Sequence, residues 1–88
     1  MNIYKITWTN PPEDIYLTYF REIIVRANDE EEALSIHPFS ENYNPIDNAS
    51  YWIDFPDLWA PNRKEMEVEY LGTSISNEIG VILSNVKA

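Results

Sequence analysis

Asn28-Asp29-Glu30-Glu31-Glu32-Ala33-Leu34 decides how this chain folds, because it sets a helix between stretches that read as strands. Asp29 stands at the N-cap, where its carboxylate accepts the amide of the third helical residue. Glu32 stands three residues on and reaches back to complete a capping box. Asp29 to Glu32 also put four carboxylates at the positive end of the helix dipole, where negative charge is stabilising. Ala33, Leu34, Ile36 and His37 follow, and Pro38 stops the helix, since proline drives the residue before it out of the helical region. The predicted helix is short, about two to three turns.

Outward from this segment the period changes from helical to alternating. Upstream, residues 3–8 place Tyr4, Ile6 and Trp8 on one face of a strand and Ile3, Lys5 and Thr7 on the other. Thr9 to Asp14 reads as a loop, because Pro11 and Pro12 remove two ladder donors. Tyr16 to Ala27 is rich in Tyr, Phe, Ile and Val and reads as a long second strand paired with the first. Downstream, Lys64 to Tyr70 alternates strictly, with Met66, Val68 and Tyr70 facing inward and Glu65, Glu67 and Glu69 outward. Gly72-Thr73-Ser74 is expected to turn the chain into a last strand near Ile79–Val86, apolar enough to be central.

Between helix and third strand, residues 38–62 hold four of the six prolines and little periodicity, yet carry Phe39, Tyr43, Tyr51, Trp52, Phe55 and Trp59. A long loop of this kind is usually functional or partly helical, and a helical turn around Ile46–Trp52 is predicted. The resulting order, β-β-α-β-β, defines an α+β fold: a small antiparallel sheet with one short helix and a long aromatic-rich loop.

Composition narrows the function classes. With 88 residues the chain is one domain, residues 1–88. Fifteen Asp and Glu against 6 Lys and Arg give a formal net charge of −9. Disordered acidic segments are poor in aromatics, whereas 14% of this chain is Phe, Trp or Tyr, so the acids decorate a folded surface. Such a surface repels nucleic acid and attracts basic partners. The absence of cysteine removes disulfides, thiolate nucleophiles and cysteine zinc sites, and fits a reducing compartment. The first residues alternate at once, with no basic and apolar leader pattern, and no apolar run approaches a membrane span. A cytoplasmic protein that contacts neither membrane nor nucleic acid directly is the expectation. His37, the single histidine, lacks a Ser, Cys or carboxylate at a spacing that marks a triad. A structural role beside the helix C-terminus is the reading for it. Two glycines cannot form a phosphate loop, and no calcium-loop motif is present, so no enzyme, cofactor or metal is expected.

Several pieces together carry a resemblance. Val25-Arg26-Ala27 ends a hairpin, and Asp29 to Ala33 is an acidic capping box running into Glu-Ala. Trp52 and Trp59 mark the middle, Val68 to Ser74 a strand, and Gly80-Val81-Ile82-Leu83 the last strand. This layout resembles small acidic proteins common in phage and prophage genomes, some of which are anti-CRISPR inhibitors that bind and block a host nuclease complex. The resemblance implies a phage-encoded inhibitor in the host cytoplasm, with no binding residue carried over position by position.

The residues themselves suggest where a basic partner, such as a nuclease complex, would dock. Glu65, Glu67 and Glu69 form a same-face row at about 6.6 Å spacing, able to compete with a phosphate backbone for Lys and Arg. The same row also suits a solvated face that deters aggregation. Tyr51, Asp54, Asp57 and Trp59 interleave rings with carboxylates, which suits an Arg- or Lys-rich target. In that loop Trp52 and Phe55 are expected to be buried, and Trp59 or Tyr51 more exposed. Glu30 and Glu31, which the capping box does not need, extend the acidic surface. The alternative is a small accessory or structural phage protein that self-associates as a homodimer through its sheet edges.

Overall fold

The alternation of the first residues builds β1 (Asn2–Trp8), whose Tyr4, Ile6 and Trp8 are buried while Ile3, Lys5 and Thr7 are half-exposed. The computed structural model describes residues 1–10, 19–55, 58–59 and 63–86. The second strand, β2 (Phe20–Ala27), pairs antiparallel with β1 from Asn2 opposite Ala27 to Thr7 opposite Glu22. Residues 16–18, expected in this strand, lie outside the described residues, as do 11–14 of the expected loop.

Helix α1 (Glu30–Leu34) starts where the capping box places it: Asp29 Oδ1 accepts the Glu32 amide at 2.8 Å. Glu32 Oε1 reaches back one residue further than a standard box and takes the Asn28 amide at 2.8 Å. The helix is five residues long rather than two to three turns. Ser35 caps it, and Ile36 and His37 leave the helical path to enter the core.

The helical turn predicted near Ile46–Trp52 exists and is longer, forming α2 (Pro45–Asp54). Asn44 caps it by accepting from the Ile46 and Asp47 amides, and Pro45 occupies the first turn, where its missing N–H has no partner to lose. The aromatic stretch is therefore built on a second helix rather than a loop.

After a 3-10 turn (Arg63–Glu65) come β3 (Met66–Thr73) and β4 (Gly80–Val86), giving one antiparallel sheet in the order β3-β1-β2-β4. The fold is α+β, as the patterning predicts. Two expectations are corrected. The chain does not turn at Gly72, because β3 runs on to Thr73 through a bulge at Leu71. Nor is the last strand central: β4 is an edge strand, and its Ile82 and Leu83 are exposed. Apolar composition marks burial only when a second layer covers that face, and none of the described helices does.

The core lies on one face of the sheet. Tyr4, Ile6, Trp8, Ile23, Val25, Ala27 and Val81 from the strands meet Ala33, Ile36 and Trp59 from the segments packed over them. The opposite face carries Ile3, Lys5 and Thr7, then Glu22, Ile24 and Arg26, then Glu67 and Glu69, all half-buried or exposed. Gly80 closes the layer at the start of β4. Its φ is +144°, and a Cβ there would stand 3.1 Å from Ser40 O and 3.2 Å from Glu41 O, so glycine is required.

Candidate functional site

The acidic row is shorter and differently bounded than the alternation predicts. Glu67 and Glu69 are exposed on the open sheet face, opposite Thr7 and Lys5 of β1. Glu65 is not part of the row: it ends the 3-10 turn, is half-buried, and its carbonyl accepts the Thr9 amide and hydroxyl at 2.8 and 3.0 Å. Its place is taken by Glu22. The register sets Glu67, Thr7 and Glu22 in one line across the sheet, and Glu69, Lys5 and Ile24 in the next. Lys5 Nζ bridges the lines by pairing with Glu22 Oε2 at 3.4 Å. Both partners are about one-third exposed, so the pair adds little stability. It does leave Glu67 and Glu69 as the exposed carboxylates of this face, with Arg26 half-buried at its other side.

Glu30 and Glu31 are exposed in the first turn of α1, on a separate element, and Asp54 is exposed at the last turn of α2. Asp57 lies outside the described residues. The structure thus sets Glu67 and Glu69 on one face with Glu22, and gathers neither Glu30, Glu31 nor Asp54 into the row.

The aromatic expectation is reversed. Trp59 is 1% exposed and stands edge-on to Trp8 at 6.4 Å, while Phe55 is 40% exposed. Trp52 and Tyr51 are half-buried. Helical geometry puts Asn48, Tyr51 and Trp52 on one face of α2, directed at the chain between α1 and α2, and leaves Phe55, the C-cap beyond its last turn, at the margin. Trp52 Nε1 donates to Ser35 O at 2.9 Å, and Tyr51 packs against Phe39 at 5.7 Å. These rings hold α2 in place, so Tyr51 and Trp59 do not form an exposed anchor. Trp8 Nε1, beside Trp59 and Tyr19, is buried without a hydrogen-bond partner among the described residues.

His37 is the hub of this packing. It lies three residues beyond α1, so the helix dipole is not what holds it, but its role is structural as expected. Its side chain is fully buried among Phe39, Tyr51 and Trp52, with ring centroids 5.1 to 5.8 Å away. Nδ1 accepts the Phe39 amide at 3.1 Å, which assigns the proton to Nε2, 3.3 Å from Phe55 O. Burial pushes the imidazole below its ordinary 6.5, opposed in part by the Phe55 carbonyl. With the folded-state value lowered, the unfolded chain takes the proton first. His37 should therefore destabilise the fold progressively as pH falls from about 6.5 through that lower value, with no effect above it. Denaturant melts at pH 7.5 and 5.5 should differ in this direction, and NMR should titrate His37 below 6.5. A higher pKa would refute the assignment.

A polar cleft of about 660 Å3 opens on the far side of the loop, lined by Arg26, Glu41, Tyr43, Asp47, Asn77 and Glu78. Arg26 Nε is committed there to Glu78 O at 2.8 Å. Among the described residues no three His, Asp or Glu side chains are placed to hold a metal, and no helix is long and apolar enough to cross a membrane. No family model, curated protein or solved structure matches the chain.

Sequence reasoning missed Glu22 and Lys5. The signal lay in the alternation of β2, which puts Glu22, Ile24 and Arg26 on the face opposite Ile23 and Val25. Reading it required the register between strands, which distant residues set.

Proposed function

We propose that this chain is a non-enzymatic binding protein that docks on a basic protein surface through the open sheet face beside β3. The observation that supports this most is Glu67 and Glu69 reaching outward on one strand, with Glu22 behind them and Lys5 already paired. The strand sets the spacing of the two carboxylates, and a net charge of −9 steers encounter with a basic surface. In its most specific form the partner is a nucleic-acid-binding groove of a host defence nuclease. A phage-encoded inhibitor would occupy that groove in the host cytoplasm in the manner of anti-CRISPR proteins.

The test is a pull-down from host lysate with the wild-type chain and with the double variant Glu67→Gln/Glu69→Gln. Wild-type protein should retain a basic protein at low salt and release it as screening rises, the Debye length being about 10 Å at 0.1 M. The double variant should lose roughly tenfold or more in affinity. Glu30→Gln/Glu31→Gln should lose far less. Equal, salt-insensitive capture by both variants would exclude charge-based docking. For the specific form, expression in cells whose CRISPR immunity targets a phage should restore plaques on those cells.

A further inference from the structure

β3 ends the sheet among the described strands, and its backbone groups divide between two sides. Thr9 donates to Glu65 O at 2.8 Å, one bond of a hydrogen-bonded pair just past the β1–β3 register, which ends at Trp8 with Met66. Such pairs alternate along antiparallel strands, so Thr7 with Glu67 and Lys5 with Glu69 are also of this kind. The backbone groups of Glu67 and Glu69 are therefore spent on β1. Those of Val68 point the other way, off the sheet, and β3 has no neighbour on that side among the described strands, while the Met66 amide closes the 3-10 turn onto Arg63 O. The other edge is different: at the start of β4, the Val81 amide donates to Ser40 O at 3.1 Å, so the loop after α1 covers it.

Resting on the reading that the partner is basic, we infer that β3 adds an extended strand of that partner to the sheet. That strand alternates basic and apolar residues. The alternation follows from the two faces of β3. Cross-strand neighbours share a face, so partner residues beside Glu67 and Glu69 meet carboxylates, and those beside Met66 and Val68 meet half-buried apolar side chains at the core margin. Tyr70, 58% exposed and edge-on to Tyr4 at 5.8 Å, extends that apolar side. Charge selects against the other occupant of a free edge, a second copy. Antiparallel self-pairing centred on Val68 would set Glu67 opposite Glu69 of the other chain, where like charges repel.

The probe is a synthetic peptide of alternating lysine and valine, titrated at low salt against isotope-labelled protein. Its valines would lie opposite Met66 and Val68, and the one opposite Val68 would exchange backbone bonds with it. N-methylation of the valine amides, which keeps every charge, should weaken binding roughly tenfold, whereas N-methylation of the lysine amides should change it by less than about threefold. Bound peptide should slow amide exchange at Val68 and leave Met66, Glu67 and Glu69 unchanged. If both methylated peptides bind as the parent does, the basic-partner reading stands and strand addition is overturned. If no basic peptide binds at low salt, both fall. Concentration-dependent protection of Val68 without peptide would assign the edge to a second copy and overturn the inference.

Discussion

Asn48→Ala is expected to destabilise the fold by about 3 kcal/mol, far more than its few lost atoms suggest. The side chain is 93% buried, being 7% exposed, and serves three groups at once. Its Oδ1 accepts the His37 amide at 2.8 Å and the Ser40 hydroxyl at 2.7 Å, and its Nδ2 donates to Ser35 O at 2.7 Å. Ser35 O keeps the Trp52 indole as a second donor, but the His37 amide and Ser40 hydroxyl lose the partner they have here. A buried donor without an acceptor costs roughly 1–3 kcal/mol, and two are created together. The asparagine is what fastens α2 to the chain after α1, so the loss should also loosen the aromatic cluster around His37. Thermal unfolding should fall by on the order of 10–20 °C, read by circular dichroism. A shift of only a few degrees would show that the helix is held by its rings alone.

Trp59→Ala should cost about 3–5 kcal/mol, the range for emptying a large aromatic site in a core. Phe55→Ala should cost about 1 kcal/mol, because the ring is 40% exposed and its main contact is an edge-on approach to Phe39 at 4.9 Å. His37 meets Phe55 through the carbonyl, which the substitution keeps. Paired denaturant melts of the two variants check the ordering. A larger loss for Phe55→Ala would restore the exposure order that sequence alone suggests and contradict the packing described above.

That reversal shows where one-dimensional reading runs out. Acidic and aromatic residues interleaved from Tyr51 to Trp59 look alike whether they line a surface or a core. The choice is made by α2, whose period brings Asn48, Tyr51 and Trp52 to one side and leaves Ile46 and Ile53 about three-quarters exposed on the other. Trp59 is then drawn under the sheet against Trp8. Likewise the last strand looks central because Val81, Ile82 and Leu83 are apolar, yet strand order is fixed by pairing partners far away in the chain.

The sequence by itself determined the local elements of this protein, because period and capping act between neighbours. Asp29 and Glu32 cap α1 from the NDEEEAL segment, and alternation sorts core from open face over Asn2–Trp8 and half-buried from exposed over Met66–Glu69. It stops at Tyr70, expected inward, which is exposed beside the bulge at Leu71. Tertiary structure alone decided that Glu65 ends a 3-10 turn before the row, that Glu22 and Lys5 stand beside it, and that the backbone of Val68 faces a side of β3 on which no described strand lies. Those facts depend on register and strand order. They are settled by which face each strand must bury and by the loops that connect them, and no window of neighbouring residues contains either.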